Sequence, residues 1–256
     1  ADPDFTVQKK IDVGQIDADT STISLSDESK HIYICAQDEN TVFCVDLKKG
    51  KTTTCPDALT DLLLGITRAS NTPGELIHFS PDGSMLAAQK EDDVLEIMST
   101  DGSIHYTIEE ETTSFLSASF TPDGKTLLTV DLSGYLRRYR AKDGQLLGRT
   151  DLYYSSLYNS TKIEWQFTER GFFTVKVDSV LNMIRYQDWE VFTYLTSSMG
   201  YLEEEDFFVC SIYAGDGENY SGFKRYSPQQ LMDYAEELLN GWDLNDTQKT
   251  KYGLTD

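Results

Sequence analysis

The chain has 256 residues and a formal charge of −21, a size that suits one large all-β domain or two small ones, so only an internal repeat can decide the organisation. The shortage of Lys and Arg argues against a nucleic-acid or anionic-membrane surface, both of which need a basic excess, and leaves basic partners or plain solubility. No apolar run approaches the roughly 20 residues of a membrane span, and no signal-peptide pattern opens the chain.

Ala1, Asp2 and Pro3 stand where an initiator Met is expected, so residues 1–4 read as a linker or cloning remnant and the chain as a fragment of a longer protein. Residues 5–13 read as a strand with no partner before them. A turn at 24–30 leads into an apolar strand at 32–35, and a polar turn separates this from a third strand at 42–46. Cys35 and Cys44 flank that turn and are placed to face each other across a hairpin, an oxidised pair if the protein is exported. Cys35, Cys44, Cys55 and Cys210 have no CxxC spacing and no nearby histidines, so free buried thiols are the plainer expectation and zinc is not called for. Residues 51–73 form the largest insertion, mixing Leu59, Leu62, Leu63 and Leu64 with Arg68 and Asn71. They read equally as a binding insertion on one face or as a short helix packed on the body of the domain.

The repeat itself comes next. Ile77-His78-Phe79-Ser80-Pro81-Asp82-Gly83 returns as Ala118-Ser119-Phe120-Thr121-Pro122-Asp123-Gly124, with Phe79 and Phe120 spaced 41 residues apart. In each copy a strand ends in a Pro-Asp-Gly turn, where Pro presets φ and Gly accepts positive φ, and a second strand follows at 85–88 or 126–130. A weaker copy at 166–171 precedes a strand at 172–177, and a fifth turn at 203–206 precedes 207–211. Third strands are expected at 42–46, 95–98, 136–140, 183–186 and 223–226, and fourth strands follow, as at 104–108 and 145–149. Four strands per unit is the blade of a β-propeller. The fold expected is therefore all-β, a propeller of five visible units over residues 5–226, with the N-terminal strand completing the last blade and closing the ring.

Beyond residue 226 the pattern turns helical. Ser227 reads as an N-cap, Pro228 as the first helical residue and Gln230 as the close of a capping box. Leu231, Tyr234, Ala235 and Leu238 form an apolar stripe, Gly241 a stop, and residues 245–252 a second short helix ended by Gly253.

On its Phe-Ser-Pro-Asp-Gly-type turns the chain resembles the WD40 family and its looser bacterial relatives. Val45-Asp46, Met98-Ser99, Tyr139-Arg140, Tyr186-Gln187 and Tyr226-Ser227 stand where the strict family ends its third strands in Trp-Asp. The pattern of residues 231–239, 243–244 and 252–253 resembles the tail after WD40 repeats in bacterial multidomain signalling proteins, a resemblance that implies an upstream effector domain and a cytoplasmic location.

In propellers of this type the turns between second and third strands share one face with the inter-blade loops, and here that face reads as acidic. The partner-binding candidates are Asp38, Glu39, Asp92, Asp93, Asp131, Asp178, Asp216 and Glu218, with Asp17, Asp19, Glu109, Glu110, Glu111 and Asp151 from the loops. Carboxylates around one opening focus a negative potential that attracts cations or basic peptides, although Asp also forms turns of this kind for local reasons. There is no GxSxG, HExxH or GxxxxGK[ST] pattern, and His31, His78 and His105 share no spacing, so no catalytic residue, cofactor or metal ligand is expected. A calcium-loop reading of residues 216–219 fails for want of the twelfth-position Glu. The leading expectation is a non-enzymatic scaffold or sensor module for a protein or basic peptide. The alternatives are a metal-dependent propeller hydrolase or lyase and an exported adhesion protein, for which the sequons at Asn159, Asn219 and Asn245 would matter.

Overall fold

The structure, a computed structural model, describes residues 21–25, 31–69, 76–158, 161–204, 206–214 and 217–224. These residues are mostly β, arranged as small antiparallel sheets. The expected strand at 5–13 and the expected helices after residue 226 lie outside them, as does the turn at 26–30. The chain divides after Ser197 into two compact units.

The first unit holds four sheets, each built from four strands in chain order. Sheet I contains β1 (Ser21–Leu25), β2 (His31–Ala36), β3 (Thr41–Asp46) and β4 (Lys51–Thr54). After α1 (Asp57–Ala69), sheet II contains β5 (Ile77–Phe79), β6 (Met85–Glu91), β7 (Val94–Ser99) and β8 (His105–Glu109). Sheet III contains β9 (Phe115–Phe120), β10 (Thr126–Asp131), β11 (Tyr135–Arg140) and β12 (Leu146–Asp151), and sheet IV contains β13 (Ile163–Phe167), β14 (Phe172–Val177), β15 (Val180–Arg185) and β16 (Val191–Leu195). The second unit holds sheet V, with β17 (Ser198–Leu202), β18 (Phe207–Ala214) and β19 (Gly217–Lys224). The third strand expected at 223–226 is thus β19, which begins at Gly217 and pairs along the whole of β18.

The first-to-second-strand turns rest on side-chain chemistry local to each. The Ser80 hydroxyl donates to Asp82 Oδ1 at 2.7 Å and accepts from the Met85 amide at 2.9 Å, while Gly83 takes φ +71°. Thr121, Asp123 and Gly124 repeat this with a 2.7 Å hydroxyl-to-carboxylate bond and φ +67°. The same device closes the β7–β8 turn, where Ser99 donates to Asp101 at 2.7 Å and receives the Ile104 amide at 2.8 Å. Such turns satisfy their own backbone, so the hairpin register is specified by local residues.

Within the first unit, consecutive sheets pack face to face. Along β6, Leu86 and Ala88 enter the core shared with sheet I, and Met85 and Ala87 the core shared with sheet III. On β10, Leu127 faces sheet II while Leu128 and Val130 join the core with sheet IV. A strand buried on both faces loses the alternation of a half-exposed strand, and β6, β10 and β14 are each buried over at least four consecutive residues.

Helix α1 resolves the insertion at 51–73. Pro56 precedes it, Asp57 occupies the first turn and Arg68 the last, complementing the helix dipole. Leu59, Leu62, Leu63 and Ile66 enter the core between sheets I and II, where Tyr33 stacks on Phe79 with ring centroids 4.9 Å apart. The insertion is a packed helix. In the β2–β3 hairpin Cys35 pairs with Val42 and Cys44 with Tyr33, so the two cysteines are not opposed. All four cysteines are free thiols.

Candidate functional site

The second-to-third-strand turns of sheets II, III and IV are tied to the connections between sheets. The Asp92 carbonyl accepts from the Phe115 amide at 2.7 Å and the Asp93 carbonyl from the Glu110 amide at 3.0 Å, joining the β6–β7 turn to the β8–β9 connection. The Leu132 amide donates to the Ser114 carbonyl at 3.0 Å, and the Asp178 amide to the Lys162 carbonyl at 3.0 Å. Turns and connections therefore meet at one end of these three sheets. In sheet I the corresponding turn is held by α1: the Arg68 guanidinium donates to the Gln37 carbonyl at 2.7 Å and to Asn40 Oδ1.

Side chains at this end sort into two groups. Asp38, Glu39, Asp92, Asp93 and Asp178 are exposed, and none has a cation partner among the described residues. Asp178 takes φ +54°, a left-handed conformation that Asp and Asn tolerate best among side-chain-bearing residues. Glu109, Glu111 and Asp151, from the connections, are exposed as well.

Asp131 departs from expectation. It is fully buried, accepting from the Ser133 amide at 2.8 Å and the Tyr135 amide at 3.2 Å, with Arg137 Nε 3.1 Å away. Burial lifts its carboxyl above the ordinary range, against those amides and the Arg137 charge. Arg137 also pairs with Glu110, whose other oxygen accepts from the Tyr139 hydroxyl at 2.6 Å. Despite burial, Arg137 and Tyr139 hold the Glu110 carboxyl below its usual value. Asp131 is thus an internal strut between the turn and β11, and no part of an exposed acidic face. Asp216 lies outside the described residues. Glu218, expected in a turn, sits within β19 opposite Tyr213, in the second unit.

At the same end of sheets II to IV opens a cleft of about 610 Å³ that sequence reasoning did not anticipate. Asp92, Ser114, Thr161 and Lys162 stand at its lining with His78 and Ser117 from the first strands β5 and β9. His78 is held neutral, its pKa pushed down by burial to about 4. The Ser117 hydroxyl accepts from the Trp165 indole at 2.9 Å, joining β9 to β13. The cavity forms where the first strands of successive sheets come together, which is why its residues carry no local sequence signal. His31 and His105 lie elsewhere, on β2 and β8, and His105 Nε2 bonds Glu96 Oε1 at 2.7 Å. Among the described residues, no group of three or more His, Cys, Asp or Glu side chains is arranged to hold a metal ion, and no helix is long and apolar enough to cross a membrane. No protein-family model and no curated protein matches the chain.

Proposed function

We propose that the chain is a propeller-type binding module whose carboxylate-bearing end receives a basic peptide, or a basic surface of a protein partner. The observation that carries this reading is the exposure of Asp38, Glu39, Asp92, Asp93 and Asp178 at the equivalent turns of sheets I, II and IV, without cation partners among the described residues. Unpaired carboxylates that do not converge on one point make a diffuse negative field, suited to the spread charges of a Lys/Arg-rich segment. The propeller reading is supported by the four-strand repeat and, among the described residues of the first unit, by cores shared between consecutive sheets. Its assignment to the sensor or scaffold part of a larger signalling protein rests on the resemblance of residues 231–239, 243–244 and 252–253 to the tail that follows WD40 repeats in such proteins.

The test is fluorescence anisotropy with labelled Lys/Arg-rich peptides at low and at physiological salt. The wild-type chain is compared with a variant carrying D38N, E39Q, D92N, D93N and D178N. Saturable binding that weakens with salt, and by about tenfold or more in the variant, is the expected result. Equal affinity for both proteins would remove the acidic end as the binding site.

A further inference from the structure

Six of the chain's eight arginines fall between residues 137 and 185, and Arg138 among them is unusual. It has no carboxylate partner among the described residues, and its Nε is enclosed without a hydrogen-bond acceptor. Its guanidinium carbon lies 4.7 Å from the Trp189 ring centroid, in a cation–π contact. On β12, Gly148 leaves the space the guanidinium fills, since a Cβ there would stand 2.4 Å from a terminal guanidinium nitrogen. The ladder between β11 and β12 is bulged at Arg138/Tyr139, beside this position. Burial without a counter-ion lowers the pKa of the group.

This side chain lines a cleft of about 390 Å³ between sheets III and IV. The Thr150 hydroxyl donates to the Trp189 carbonyl at 2.6 Å and ties the two sheets together there. Tyr153, half exposed, stacks on Tyr194 at 4.0 Å on the same lining. The charges around the cleft are largely committed elsewhere: Asp188 and Glu190 pair with Arg185 at 2.8 and 3.5 Å. Arg149 lies over the Tyr135 ring at 4.5 Å and, like Arg138, has no carboxylate partner among the described residues, so two guanidinium groups on the lining are left without a bonded counter-ion.

A partly desolvated cation with an unmet donor and no counter-ion is costly unless an anion completes it. The planar fork of Arg matches a carboxylate best, and Arg, Trp and Tyr together are the usual anchors of protein interfaces. We infer that the cleft between sheets III and IV binds an acidic peptide segment of a partner protein. A Glu or Asp side chain docks on Arg138, and neighbouring apolar atoms of the peptide lie against Trp189 and Tyr153. This surface is separate from the carboxylate-bearing end and selects the opposite charge.

The experiment titrates a labelled peptide alternating Glu and Leu against the full chain, with its Gln-for-Glu counterpart and inorganic phosphate as comparison probes. Saturable binding of the acidic peptide is expected, weakened at least about tenfold by Arg138→Gln, partly restored by Arg138→Lys, and kept by the five-fold acidic-end variant. In the wild-type chain the peptide should also protect Arg138 from phenylglyoxal, read by mass spectrometry, a result independent of how any variant folds. Equal binding of the Gln counterpart, unchanged affinity in Arg138→Gln, or unprotected Arg138 would overturn the inference. So would displacement of the peptide by phosphate at equal concentration, which would make the cleft a site for any small anion.

Discussion

Aspartate serves this chain in physically distinct ways. At Asp131 the carboxylate is inside, and Arg137 depends on it for one of its two acidic partners. Replacing Asp131 with Ala should therefore cost about 3–5 kcal/mol in urea unfolding, because a buried guanidinium is left with a reduced set of acceptors. Asn, which keeps an oxygen for the Ser133 and Tyr135 amides, should cost less. At Asp101 the carboxylate is outside, and the Ser99 hydroxyl, the Ser103 hydroxyl and the Ser103 amide pull its pKa down to about 2, from an ordinary 3.8. A depressed carboxylate pKa means the unfolded chain binds the proton first, so the stabilisation is present above pH 3.8 and is lost as pH falls through 2. Asp101→Asn should flatten that acid limb, measured as urea midpoints across the window. His78 acts in an earlier window: its depressed pKa means stability declines as pH falls from 6.5 to about 4, and His78→Gln should remove that slope.

Among elements, α1 shows how a helix is recruited by a β repeat. Leu63 is completely buried between sheets I and II, so Leu63→Ala should destabilise the first unit by about 2–5 kcal/mol in denaturant unfolding. Its leucines were visible in the sequence, but their spacing served a packed helix and a binding insertion equally well. Tertiary packing decided between them. The Pro-Asp-Gly hairpins were legible because hydroxyl, carboxylate and glycine lie within a few residues and need nothing remote. Asp131 was misplaced for the converse reason: an Asp after a strand looks the same whether it caps an exposed turn or meets Arg137 from within. Arg138 lies on β11 and Trp189 in the β15–β16 connection of the next sheet, and no local pattern announces their contact. Gly144 carries a related hidden constraint, since at φ +70° it also gives room to the Tyr106 ring, 2.7 Å from where a Cβ would be. Gly144→Ala should displace that ring and weaken the packing of β8 on the β11–β12 turn, seen as faster amide exchange in β8.

At the scale of the whole molecule, each described sheet of the first unit shares its core with its sequence neighbours, so stability there is built from adjacent interfaces. The period of 41 residues made this organisation readable, while the length of β19 and its start at Gly217 were not, because the residues around 216–219 are equally good turn formers and strand ends. The free thiols gain a use from this arrangement. Cys35 is sealed in the core beneath α1, and Cys210 is sealed in β18 of the second unit. Neither can meet a thiol reagent until the packing around it opens, so each labelling rate is a clock for one unit. Pulse labelling resolved by mass then asks of every molecule in solution whether the two clocks strike together or apart.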